Sequence, residues 1–166
     1  MIQLSQIIQN IVDDLDNFSW TSPDGGGSSS FNAVFNFEHS MHTEGYPYAW
    51  VDDPQTSGIT LDNRGMDLDN TIVIAVCVNW STISVNETGK TEFQIESEKK
   101  TEAALRLREC WDALKEHAIK ISTLDAWMGQ QMKGWNPNIE FLKSDIDELN
   151  LFRRTIRMTL KEYLRR

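Results

Sequence analysis

Glu38, His39, His42 and Glu44 group two of the three histidines with two carboxylates, the cluster that suggests a metal site. Imidazole nitrogen and carboxylate oxygen are the ligands of catalytic zinc, which keeps one position open for water, so a metal-dependent hydrolase on Glu38, His39 and His42 is one chemistry this stretch suits. The spacing works against it. On a strand, residues an odd number apart point to opposite faces, so His39 and His42 converge only if the segment turns. Otherwise they are polar residues at a strand-to-loop transition. Asp62, Asp67 and Asp69 surround Asn63-Arg64-Gly65, a spacing loosely like that of a calcium loop, but the flanking helices and the closing bidentate glutamate are missing. A solvated acidic loop is the simpler reading.

The stretch Ser22-Pro-Asp-Gly-Gly-Gly-Ser-Ser-Ser30 has the glycines of a phosphate-binding loop. It lacks both the Lys-Ser/Thr ending and the preceding strand of such a loop. His117 lies in a helical stripe without a carboxylate-rich pocket around it, which fits a rim histidine better than a general base. The chain contains no Gly-x-Ser-x-Gly elbow, Cys/His nucleophile arrangement, zinc spacing or dinucleotide fingerprint. Its acids cluster in expected loops, away from the apolar pocket that raises a carboxylate's pKa. No catalytic residue, metal or cofactor is expected.

The elements that would carry these residues are organised around the apolar, β-branched run Thr71–Val78, which reads as a central strand buried on both faces. Residues 3–18 space Leu4, Ile7, Ile8, Ile11, Val12, Leu15 and Phe18 as an amphipathic helix. Asp13, Asp14 and Asp16 crowd its C-terminal end, where the dipole disfavours negative charge, so that end is expected to fray or to meet a cation. A flexible connector is expected at 22–30, a strand over Phe31–Glu38, and a second strand over Tyr46–Val51 that Pro47 places at a start or an edge. An acidic loop follows over 55–70.

Ile83 and Val85, a glycine turn at 86–90, then Phe93 and Ile95 give a β-hairpin reaching beyond the body. Residues 101–121 give a second amphipathic helix capped by Thr101, and 122–135 an irregular segment or brief helix. A strand follows around Ile139–Phe141. Residues 151–164 satisfy both periods, but the alternation of Arg153, Thr155, Arg157, Thr159 and Lys161 against Phe152, Ile156, Met158 and Leu160 favours a strand. The expected fold is α+β: a single domain over 1–166, mainly antiparallel sheet, with two amphipathic helices on one face and an extended β-hairpin.

The chain has 166 residues, enough for one core, and carries a net charge of −9. That balance excludes nucleic-acid binding through clustered phosphate contacts, which needs Lys and Arg to displace counterions. The charge is uneven: residues 1–100 hold four Lys and Arg against fifteen Asp and Glu, and residues 101–166 hold twelve against ten. An acidic front and a mildly basic tail could attract each other within a chain or between neighbours. Cys77 and Cys110 both lie in apolar patterns and read as small buried hydrophobes of a reducing compartment. No apolar run approaches the roughly 18 residues of a membrane span, and no signal segment or membrane contact is expected. The tryptophans number six, and aromatics serve interfaces as well as cores.

The order of helix, Tyr46-Pro47-Tyr48-Ala49-Trp50-Val51 strand, acidic insert, apolar strand Thr71–Val78, hairpin, covering helix and closing strand resembles the tail terminator proteins of long-tailed phages. The covering helix carries Leu105-Arg-Leu-Arg-Glu-Cys-Trp-Asp-Ala-Leu114, and the closing strand Leu151-Phe-Arg-Arg-Thr-Ile-Arg-Met-Thr-Leu160. The resemblance spans nearly the whole chain, as a pattern of elements rather than catalytic letters; the connector 22–30 and the Phe31–Glu38 stretch depart from it. It implies a structural virion protein assembled in the host cytoplasm. Such a protein forms a homo-oligomeric ring, a hexamer in that family, which caps the finished tail tube, ends its polymerisation and faces the head connector. The implied partners are further copies of the chain, the tail tube protein and a head-tail connector or head-closure protein. Another neck or minor tail component, such as a head-closure or tail-completion protein, is the neighbouring alternative. Ring contacts are expected at the hairpin residues Ile83, Val85 and Phe93. The basic face Arg153, Arg157 and Lys161 is expected to meet the acidic surface of Asp62, Asp67 and Asp69, with Arg64 among them, on a neighbour.

Overall fold

Helix α1 (Leu4–Asp16) buries Ile7, Ile8, Ile11, Val12 and Leu15, the apolar face that the sequence spacing marks. The structure, a computed structural model, describes residues 3–22, 26–38, 45–129, 137–144 and 150–165, with backbone alone at 54, 55, 57–61 and 144. After α1 the chain forms β1 (Ser19–Thr21), which pairs antiparallel with β2 (Ser28–Ser30). The C-terminal end of the expected connector is therefore a strand, closed onto β1 by the Ser22 amide, which donates to the Gly27 carbonyl at 3.3 Å.

Five strands make the main sheet, in the order β3-β4-β5-β7-β6. Strand β3 (Val34–Phe35) is a two-residue parallel pairing against β4 (Tyr48–Leu61). The strand expected over Phe31–Glu38 shrinks to this because Phe31 leaves the alternation: it is 9% exposed and stacks on Phe18 and Trp20, at ring distances of 6.1 and 5.1 Å. Strands β4 and β5 (Gly65–Asn79) form a long antiparallel hairpin, and β7 (Leu151–Arg165) pairs with β5 along its whole length. The last segment is thus a strand, flanked over its first half by β6 (Asn138–Ser144).

Two expectations are corrected. Residues 55–70 are not an acidic loop, since most of them lie in β4 and β5 around a turn at 62–64. Asp67 and Asp69 alternate with Met66, Leu68 and Asn70, a period of two interrupted on the helix side by the polar Asn70. The hairpin expected at Ile83–Ile95 does not form either. Trp80–Thr82 is a 3-10 turn, Ile83 enters the core at 2% exposure, and Val85 packs on it. Phe93 and Ile95 lie on α2 (Glu92–Ala118), which begins nine residues before the expected start at 101. Thr91 is its N-cap rather than Thr101: the Thr91 hydroxyl accepts from the Gln94 amide, and the Gln94 side chain accepts from the Thr91 amide. The extended hairpin of this fold is β4–β5. A short α3 (Ile121–Met128) follows α2.

Both long helices cover one face of the sheet. There Ala49, Val51, Ile72, Ile74, Val76, Val78, Ile156, Met158 and Leu160 meet the helical residues in one core. The opposite face carries a smaller cluster of Tyr48, Trp50, Ala75, Cys77 and Leu151. The central strand is therefore buried on both sides over Ile74–Val78, as its continuous apolar run requires.

Candidate interaction surface

Alternation along each strand sorts the predicted site residues by face. The core takes the even-numbered residues of β7, so Arg153, Arg157 and Lys161 project from the helix-free face, as do Asp67 and Asp69 of β5. Register then sets them in rows. Cys77 stands between Tyr48 and Arg153, Val73 between Asp52 and Arg157, Asp69 beside Lys161, and Asp67 beside Tyr163.

The rows differ in character along the sheet. At the Tyr48–Arg153 end the face is closed. Tyr48 is fully buried and Cys77 is 1% exposed. Burial pushes the Cys77 thiol up to about 11 and the Tyr48 phenol well above its ordinary value; the Arg153 guanidinium opposes both shifts without cancelling them. Arg153 Nε is itself buried and has no hydrogen-bond partner among the described residues. Arg153 is thus half-buried, with the root of its guanidinium inside the protein. Further along, Arg157 is exposed, with Nη1 3.6 Å from Glu140 Oε2 on β6. Lys161 has Asp69 of its own chain in register, so the basic column is partly matched by acids before any neighbour arrives.

Beyond Ile72 and Leu160 the sheet leaves both clusters. Met66, Leu68 and Leu164, half-exposed on the helix side, belong to neither. The last tie at this boundary is polar: the Thr56 hydroxyl donates to the Asn70 side-chain oxygen at 3.1 Å, and the Asn70 amide donates to Glu162 at 3.3 Å. Asn70 is 3% exposed, and its two bonds join three strands. Past it, β4, β5 and β7 continue as a three-stranded arm of about 20 Å at the usual strand rise. At its tip Asp62 Oδ1 accepts the backbone amides of Arg64 and Gly65 at 2.7 and 2.8 Å, so this aspartate closes the turn while Arg64 stays exposed.

Of the three hairpin residues expected at an interface, Ile83 and Val85 are core and rim-of-core residues. Phe93 alone is open, at 80% exposure, and it borders a groove of about 380 Å³ with Ala104 of α2 and Phe152 of β7. The groove lies at the β5–β7 end opposite the arm.

Of the α1 aspartates, Asp14 meets an imidazole. Asp14 Oδ2 lies 2.7 Å from His117 Nε2 and accepts the Trp127 indole N–H at 2.8 Å, joining α1, α2 and α3. Thr123 Oγ1 lies 3.4 Å from His117 Nδ1, giving a carboxylate, imidazole and hydroxyl in sequence. Thr123 is 4% exposed and Trp127 fully buried, so the hydroxyl faces the interior and the cluster acts as a fastener between helices. Of the metal candidates, Glu38 is exposed, and His39, His42 and Glu44 lie outside the described residues. Among the described residues no three His, Cys, Asp or Glu side chains are grouped to hold a metal ion, and no helix is long and apolar enough to cross a membrane.

No protein-family model and no curated protein matches the chain. What the chain can be compared by is its geometry: a two-cluster body, an arm at one end of the sheet, and an open aromatic groove at the other.

Proposed function

We propose that the chain is a structural virion protein of the tail-terminator kind, a ring subunit that caps a phage tail tube, ends its growth and presents a surface to the head connector. The reading rests on the part of the expected order of elements that stands, a first helix, the Tyr48–Val51 and Thr71–Val78 strands, the covering helix and the closing strand, and on one observation: a three-stranded arm leaves the body beyond Asn70 with three half-exposed apolar residues, Met66, Leu68 and Leu164, on its helix side. A lone monomer gains little from such an extension, whereas a ring subunit needs two different surfaces, one for each neighbour. The net charge of −9 keeps free subunits apart until a tube end or a ring organises them.

The test is native mass measurement of the purified chain, with imaging of tail tubes grown with and without it. Rings on tube ends and tubes of limited length are expected. A chain that stays monomeric and leaves tube length unchanged refutes the proposal.

A further inference from the structure

The outer strands β4 and β7 carry opposite charge, β4 just before it enters the arm and β7 along the arm itself. Strand β4 holds Asp52 and Asp53 without a Lys or Arg, and Asp62 follows at the turn. The part of β7 that β6 leaves uncovered, Leu160–Arg165, holds Lys161 and Arg165 against the single acid Glu162. Both edges are also open. Strand β3 covers β4 only at Ala49 and Trp50, and β6 covers β7 only from Arg153 to Thr159, so among the described residues no strand flanks Val51–Leu61 on one side or Leu160–Arg165 on the other.

From this polarity we infer that copies of the chain meet edge to edge, the acidic β4 edge of one at Asp52 and Asp53 against the basic β7 edge of the next at Lys161 and Arg165. The inference deepens the ring reading and rests on it. Like edges repel: two β4 edges bring together aspartates, and two β7 edges bring together Lys161 and Arg165, so a two-fold symmetric contact is disfavoured. Unlike edges attract, and their contact is heterologous, the type that generates a ring when the rotation closes.

The β4 backbone is blunted. Its register with β5 slips between Asp52 and Gln55, around Pro54, and again between Gly58 and Thr60. Slips and a proline on an edge prevent a continuous hydrogen-bonded ladder. The copies are therefore held by flanking charges rather than by strand addition, and the contact weakens as salt shortens the screening length from about 8 Å at physiological strength to about 3 Å at 1 M.

A charge-swap experiment tests this on the full chain. The K161E/R165E variant has two acidic edges and D52K/D53K two basic ones, so each alone should self-associate at least about a hundredfold more weakly than the wild type, and native mass should show monomer. Mixed in equal amounts, the two should recover the wild-type assembly with both variants in alternation; recovery also shows that neither failed to fold. Either variant assembling alone, or a mixture that stays monomeric while the wild type assembles, overturns the edge contact and leaves the ring reading standing. A wild type that remains monomeric at low salt overturns both.

Discussion

Replacing Asp14 by alanine should loosen the three helices from one another. Its Oδ2 atom serves His117 at 2.7 Å and Trp127 at 2.8 Å. Hydrogen bonds to a charged group contribute roughly 1.5–3 kcal/mol each, and the fully buried Trp127 would be left with an unsatisfied indole N–H. Their combined loss is about 4 kcal/mol, since one oxygen serves both and the Asp14 side chain keeps 26% of its exposure to water. Two gains offset part of it: alanine is the better helix former by about 0.5 kcal/mol, and removing a negative charge near the α1 C-terminus recovers about 0.5 kcal/mol. The net cost is about 3 kcal/mol, or roughly 6–12 °C in Tm for a chain of this size.

Thermal and urea unfolding should be run beside Asp13→Ala. That neighbour's carboxylate accepts a hydrogen bond from the exposed Gln9 side chain, and its loss should change stability by less than about 0.5 kcal/mol. A cycle with His117→Ala should return a coupling of about 1 kcal/mol or more between the two residues. If Asp14→Ala costs no more than Asp13→Ala, or if the coupling is absent, the fastener role is wrong.

The remaining predictions concern pH, the arm and the α2 start. The folded-state value of Cys77 is raised from 9.0 to about 11, so its stabilising contribution is full below about pH 9 and is lost as pH rises through 11. Two units correspond to roughly 2–3 kcal/mol, and urea midpoints at pH 8 and 11 should show that loss in the wild type and less of it in Cys77→Ala; an equal loss in both refutes it. A Cβ on Gly65 would run into the Leu164 carbonyl and the Tyr163 ring, so Gly65→Ala should part β5 from β7 at a cost of about 2 kcal/mol; amide exchange over Leu160–Arg165 unchanged from wild type counts against it. Thr91→Ala removes half of the capping box and should cost about 1 kcal/mol, with faster amide exchange in the first turn of α2 and none of the change expected from Thr101→Ala.

The fold was legible where hydrophobic period and burial agree. The α1 face keeps one spacing, Thr71–Val78 is a continuous β-branched run, and β7, though its apolar residues satisfy both periods, is marked as a strand by its alternating Arg and Thr; each lies where that reading puts it. The misreadings share one cause, an element held by something other than apolar period. Phe93 and Ile95 alternate like a strand, but the helix there is set by the Thr91–Gln94 capping box and by pairs such as Glu96–Lys100 at 2.9 Å. That box, Thr-x-x-Gln ahead of Ile95, was present in the sequence and was the signal to follow. The distal half of β5 has few buried apolar residues to advertise it, and its place is fixed by pairing with a β7 that lies more than 80 residues away.

The candidate surface was half legible for the same reason. Alternation alone puts Arg153, Arg157 and Lys161 on one face, yet which of them reaches solvent depends on the neighbouring strands. Arg153 lies beside buried Cys77, Arg157 beside Glu140, and Lys161 beside Asp69, so three residues of one pattern have three different environments. A basic stripe read as a docking face for an acidic neighbour thereby becomes one column in a sheet whose acids stand in the adjacent columns. The charge left over resides at the edges, where β4 has no base and β7 has an excess of them. A surface made of paired columns with unlike edges is nearly neutral face-on and polar side-on, so its electrostatic preference is for a copy beside it rather than a partner across it.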